Sequence, residues 1–195
     1  MADQLLRTHP LEAWAAAFAE LPDTLRITPE PFVAMADVRV PPAVADGFAV
    51  RGTPLPTAPG TWTPTVDGRL VWLGPDEWLL TSTGSAPELL EAELCEQLRA
   101  AGGTAVDVSA QRVLVRVSGP RARDVLVTGC SVDLHPRTFP PGSSAQTTLG
   151  QAGVVLLALA PDDFAVLVRS SFAGYLAAWL LDASLEHTVP TDARP

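Results

Sequence analysis

The chain has 195 residues, 47% of them hydrophobic, enough to bury the core of one domain or of two small halves sharing a core. A net charge of −9 argues against nucleic acid as a partner, because phosphate binding needs a basic patch. All 13 basic side chains are arginine, so a Walker A loop, a Schiff-base lysine and pyridoxal phosphate chemistry are excluded.

The N-terminal MADQLLRTHP lacks the charged and then apolar regions of a signal peptide, which points to a cytoplasmic location. Residues 10–21 (PLEAWAAAFAEL) read as a helix, with proline in its first turn and Leu11, Trp14, Ala15 and Phe18 on one face. A short extended piece follows. Residues 32–40 (FVAMADVRV) alternate as a half-buried strand, with Phe32, Ala34, Ala36, Val38 and Val40 on one side and Asp37 and Arg39 on the other. Residues 42–50 suit a short helix. The Pro-, Thr- and Gly-rich stretch 52–68 reads as a long loop inside the fold.

Strands over 69–73 and 78–82 flank the turn residues Gly74-Pro75-Asp76-Glu77. A helix over 85–101 starts with the capping box Ser85-x-x-Glu88, buries Leu90, Leu94 and Leu98, and stops at Gly102–Gly103. Strands over 104–109 and 112–118 precede a helix over 120–128 that buries Ala122, Val125 and Leu126. Three strands come next, over 145–149, 153–160 and 164–169. The middle one is the longest apolar run in the chain, far short of the ~18–20 residues that span a membrane. A final helix over 171–183 puts Phe172, Tyr175, Leu176 and Trp179 on one side, capped by Ser170–Ser171. The segment 184–195 is polar and reads as a loose tail.

The pattern repeats. Strand, short helix, strand, turn, strand and long helix occur once over 32–101 and again over 112–183. LGPDEWLL (73–80) matches LAPDDFAV (159–166), and VRVPP (38–42) matches VRVSGP (115–120). The expected fold class is therefore α+β, built from duplicated ferredoxin-like β-α-β-β-α halves, over 1–103 and 104–183.

Little in this frame resembles an active site. Asp76 and Glu77 are adjacent, so an extended backbone would point them to opposite faces, and Pro-Asp suits a type I turn. His9, His135 and His187 are scattered, and Cys95 and Cys130 read as small buried thiols, neither a disulfide nor a zinc site. There is no nucleophile elbow and no dinucleotide loop. Arg121, Arg123 and Arg137 could fork an anion but suit solvated surface equally. Trp62, Trp72, Trp78 and Trp179 fit packing roles rather than a ligand cage. No catalytic, cofactor-binding or metal-ligating residue is assigned.

The stretch RLVWLGPDEWLL (69–80), with 107–157 and 164–180, resembles the gamma subunit of heterotetrameric sarcosine oxidase. That family is in turn similar to the folate-binding aminomethyltransferase fold of the glycine cleavage T-protein. Asp107-Val-Ser109, Gly119-Pro120 and Gly153-Val-Val fit the transferase pattern, but its catalytic Asp-Asp pair is replaced by Leu156-Leu157. The resemblance thus implies the fold without the transferase chemistry. It implies a structural and assembly subunit of a flavoprotein complex that demethylates sarcosine to glycine, releasing hydrogen peroxide and forming 5,10-methylenetetrahydrofolate. FAD, FMN, NAD and zinc are expected in the alpha, beta and delta partner subunits, and none in this chain. A stand-alone folate-binding protein of the same fold is the alternative.

Overall fold

The computed structural model describes residues 8–188. A 3-10 turn, Glu12–Trp14, runs into helix α1 (Ala15–Ala19), which realises the middle of the first helical pattern. Strands β1 (Arg26–Glu30) and β2 (Ala34–Arg39) and the single turn α2 (Pro42–Ala45) follow. The stretch expected as loop carries strand structure. β4 (Thr53–Pro54) forms a small ribbon with β3 (Ala49–Val50), which stands where a short helix over 42–50 was expected and only 42–45 is helical, and β5 (Trp62–Pro64) pairs with β6 (Gly68–Gly74). Prolines are tolerated there because β5 is an edge strand.

β7 (Glu77–Ser82) leads to α3 (Pro87–Leu98), which tightens into a 3-10 turn and ends at Gly102 in the left-handed conformation, φ +70. Then come β8 (Thr104–Asp107), β9 (Arg112–Ser118), α4 (Ala122–Val127), β10 (Ser144–Leu149), β11 (Ala152–Ala160), β12 (Asp163–Arg169) and α5 (Ala173–Thr188). α5 continues past Ala183 into the segment read as a loose tail. Residues 189–195 of that tail, and the N-terminal residues 1–7, lie outside the described residues.

Two five-stranded antiparallel sheets result, in the orders β5-β6-β7-β2-β8 and β10-β11-β12-β9-β1. The units β2-α2-β6-β7-α3 and β9-α4-β11-β12-α5 are the two β-α-β-β-α repeats, so the α+β class with duplicated ferredoxin-like halves is the observed architecture. The strand preceding each repeat joins the sheet of the other. β1 pairs with β9, and β8 pairs with β2. At the opposite edges, Thr61 bridges Ser143 and links the β5 and β10 sides of the two sheets.

The turn match is structural. Trp72 pairs with Trp78 and Gly74 with Glu77, with a register shift between, and Ala158–Phe164 and Ala160–Asp163 repeat that shifted pairing. The VRV match is not. Val38 stands opposite Trp78, whereas Val117 stands opposite Phe164, so Val38 corresponds to Val117 and the shared letters are out of register.

Side chains divide among three apolar layers. One covers the second sheet with α4 and α5 and contains Val125, Leu126, Leu176 and Leu180. Another covers the first sheet with α3 and contains Val38, Leu80, Leu90, Leu94 and Leu98. Fully burying each leucine contributes about 1.5–3 kcal/mol. The third lies between the sheets and contains Met35, Val71, Leu79, Leu157 and Leu167. β2 therefore buries both faces, since Val33 and Met35 fill the inter-sheet layer while Ala34, Ala36 and Val38 face α3. It is not the half-buried strand its alternation suggests. Phe32 lies before the strand, at φ +55 and 53% exposed.

Two other local readings are corrected. Ser85 does not cap α3; the N-cap is Ala86, and the Ser85 hydroxyl accepts a hydrogen bond from Arg51 Nη2 at 3.4 Å. Ser170 does not cap the last helix either, because its hydroxyl donates to the Ala110 carbonyl at 2.8 Å. The buried face of α5 is Ala173, Leu176, Ala177 and Leu180, with Phe172 and Tyr175 turned to solvent.

Arg51 ties the first half together. Its backbone is left-handed, φ +50, a strain on the order of 1–3 kcal/mol. Its side chain donates to Asp67 at 3.0 Å and Glu93 at 3.2 Å, and its N–H donates to Gln97 at 3.1 Å. Asp67 also accepts the Ser82 hydroxyl at 2.6 Å. Burial opposes ionisation of Asp67, but the Ser82 and Arg51 bonds outweigh it and hold the carboxyl below its usual range. A carboxyl with a depressed folded pKa contributes stability that is complete above its unfolded value and is lost as pH falls through the folded one. Asp67→Asn is expected to cost about 1–3 kcal/mol at neutral pH. The gap from wild type should narrow below about pH 4, as read from urea midpoints across that range.

Gly119 has φ +110, and a Cβ there would sit 2.5 Å from the Thr24 carbonyl oxygen. Gly119→Ala is expected to destabilise by at least ~2 kcal/mol, lowering the thermal midpoint by several degrees. Gly47→Ala, at φ +76 with nothing within 4 Å, should cost less in the same melting experiment.

Candidate functional site

The acidic turns come first because they carry the most conspicuous paired carboxylates. Arg39 projects from β2 across to the first turn. Its guanidinium reaches Glu77 at 3.0 Å and Asp76 at 3.5 Å, and its Nε lies 3.7 Å from Asp37. At the equivalent turn Arg116 forks Asp163, with Nε to Oδ1 at 2.8 Å and a second bond from Nη2 to Oδ2. Both turns are thus ion-paired hairpins on the surface. Their carboxylates do not converge on a cavity, as acid/base work would require.

Asp107 and Ser109 lie where the chain leaves β8 and enters β9. Asp107 Oδ1 accepts the Ser109 backbone N–H at 2.9 Å and its hydroxyl at 2.5 Å. The same Ser109 oxygen accepts the Met35 N–H at 2.9 Å. The motif therefore closes an Asx turn and pins it to β2. Its hydrogen-bonding capacity goes into the crossing between sheets.

Leu156 and Leu157 sit mid-strand in β11, both fully buried. Leu156 faces the helix-covered layer and Leu157 the inter-sheet layer. An unpaired carboxylate at either position would cost several kcal/mol, so both positions favour apolar residues.

The arginines considered as anion forks are otherwise engaged or exposed. Arg121 pairs with Asp124 at 2.9 Å. Arg123 donates to the Leu134 carbonyl and, at 2.6 Å, to that of Pro161, and lies 4.9 Å over the Phe164 ring. Arg137 is exposed. Trp78 is buried and donates to the Pro56 carbonyl at 2.8 Å, while Trp62 donates to the Ala158 carbonyl at 3.1 Å and joins the two sheets. Trp72 and Trp179 pack partly buried against separate cores, so the four indoles form no cage. Cys95 and Cys130 are half-buried rather than fully buried, and both are free thiols. Among the described residues no group of three or more His, Cys, Asp or Glu could hold a metal ion, and no helix is long and apolar enough to cross a membrane.

A cleft of about 420 Å³ opens where four segments meet: His9–Pro10, the end of β1, the β8–β9 crossing and the start of α3. His9, Glu30, Phe32, Met35, Ser109 and Arg112 are among its lining. His9 Nδ1 accepts the Leu11 N–H at 3.1 Å, and the ring meets Phe32 edge-on at 6.4 Å. Burial pushes the His9 pKa down, against a backbone hydrogen bond at Glu30 and the charge of Glu12. Glu30 lies 3.8 Å from Arg69. Sequence reasoning missed His9, Glu30 and Arg112 as neighbours, because no spacing connects residues brought together by the exchange of β1.

A family model described as "Sarcosine oxidase, gamma subunit family" matches residues 36–186. A sarcosine oxidase subunit gamma from Corynebacterium sp. (strain P-1) is 36% identical over 188 residues, covering 93% of this chain and 91% of its own. One from Arthrobacter sp is 35% identical over 195 residues, covering 96% and 95%. A chain of heterotetrameric sarcosine oxidase from Corynebacterium sp. U-96 superposes with a TM-score of 0.82 at 30% identity, over 95% of this chain and 98% of that one. The glycine cleavage system aminomethyltransferase T from Bartonella henselae superposes with a TM-score of 0.61 at 16% identity, over 86% of this chain and 48% of that one, a likeness of fold. A family model over most of the chain and near full-length likeness to curated gamma subunits agree: this chain belongs to the sarcosine oxidase gamma subunit family.

Proposed function

We propose that this chain is the non-catalytic structural and assembly gamma subunit of a heterotetrameric sarcosine oxidase. The complex oxidatively demethylates sarcosine to glycine, with hydrogen peroxide as the reduced oxygen product and 5,10-methylenetetrahydrofolate as the one-carbon product. FAD, FMN, NAD and zinc are assigned to its alpha, beta and delta partners, and the complex to the cytoplasm. The two halves, 1–103 and 104–183, act together as one assembly unit, joined by their exchanged strands.

The burial of Leu156 and Leu157 in two different apolar layers carries the non-catalytic reading. It leaves no carboxylate at the place where the transferase pattern carries its reactive pair. Near full-length identity to subunits named gamma supports the assembly role. The stand-alone folate-binding alternative has no comparable support.

Expressed alone, the chain should be colourless and should not bind tetrahydrofolate saturably. Co-expressed with its neighbours it should co-purify in a yellow flavin complex of defined stoichiometry. Omitting it should reduce assembled complex, measured by size-exclusion chromatography with flavin absorbance. Normal assembly and normal coupling to folate without this chain would remove the reading.

A further inference from the structure

Arg112 opens β9 and Arg169 closes β12, and the two stand directly opposite in the ladder. Like charges placed across paired strands destabilise the pairing. Three other sheet arginines have acidic partners: Arg39 has Glu77 at 3.0 Å, Arg69 has Glu30 at 3.8 Å, and Arg116 has Asp163, while Arg26 is exposed at the start of an edge strand. Among the described residues neither Arg112 nor Arg169 has a side-chain hydrogen bond or ion pair. Burial, then the charge of Arg169, push the Arg112 guanidinium down from its usual range, while Asp37 and Glu77 oppose them only through their charge. Both of those carboxylates are already engaged by Arg39.

Arg112 borders the 420 Å³ cleft, a size within the range of small-molecule sites, roughly 300–1,000 Å³. Phe32, Val33 and Met35 supply an apolar wall beside it. Phe32 is held at φ +55, a conformation that bulky side chains rarely adopt, and the residue is 53% exposed. Three carboxylates also border the cleft. Glu30 is paired with Arg69, Asp107 holds the Ser109 hydroxyl at 2.5 Å, and Glu88 is exposed at the start of α3. The guanidinium at the wall is the group left unanswered, with five donors in a fork shaped for a carboxylate.

We propose that this cleft binds a small molecule bearing a carboxylate on an apolar body. Arg112 forks the carboxylate, Arg169 adds charge behind it, and the body rests against Phe32, Val33 and Met35.

The test is calorimetric and NMR titration of the full-length chain with sodium benzoate, and with benzamide as its neutral counterpart. Benzoate should saturate and bind at least ~10-fold tighter than benzamide, in keeping with a charge-assisted bidentate contact. Arg112→Gln should weaken benzoate at least ~10-fold, and Arg169→Gln should weaken it several-fold. If Arg112→Gln does not fold, as judged by circular dichroism, the benzoate to benzamide ratio and Arg169→Gln decide. Equal binding of the two probes, no saturable binding, or wild-type affinity in folded Arg112→Gln overturns the proposal. Binding by the free chain that vanishes in the assembled complex also overturns it, in favour of a partner's acidic side chain filling the cleft.

Discussion

The apolar layer between the sheets is the constraint on which the rest of the molecule depends. Met35, Val71, Leu79, Leu157 and Leu167 fill it, and their strands also bury the opposite face against helices. A sheet with two apolar faces cannot stand in water with one uncovered, so neither half is a stable body by itself. This layer also limits what β11 can carry. A carboxylate pair on β11 would point one member into the layer and the other into the core beneath α4 and α5. Both environments are dry, and leucine is the residue that they favour.

Strand exchange reinforces the same joint. β1 pairs with β9 along all five of its residues, and β8 pairs with β2, so separating the halves would break two ladders as well as an apolar interface. The exchange also makes the cleft. It brings the end of β1 and the β8–β9 crossing beside the start of α3, and the Asx turn at Asp107–Ser109 holds the crossing against β2. Asp107 and Ser109 thus serve as a fastening.

Arginine does in this chain what lysine shares elsewhere, and the fold uses it as a cross-strand clamp. Arg39 and Arg116 clamp the acidic residues of the two equivalent hairpins although they occupy non-equivalent positions on their strands. Duplication therefore preserved the turn and its electrostatic need more faithfully than the residue meeting it. The charged pair across β9 and β12 departs from that pattern, and it does so at the wall of a cleft.

Local periodicity was enough for the strands, the long helix with its Leu90, Leu94 and Leu98 stripe, the hairpin turns and the duplicated α+β class, because each rests on contacts within a few residues. Readings that needed a remote partner failed. Ser85 looked like a cap until Arg51 took its hydroxyl, and Ser170 until the Ala110 carbonyl accepted it. Residues 52–68 looked like loop because a proline-bearing edge strand has no pattern of its own. The alternation at 32–40 showed one buried face and concealed the second, which Met35 presents to a sheet formed far along the chain. The sequence by itself determined the repeated unit and the leucine pair on β11, since both are written in contiguous residues. Only the tertiary structure decided which strand joins which sheet, where Leu157 is buried and that Arg112 faces Arg169 across β9 and β12, because those follow from long-range packing that no local spacing encodes.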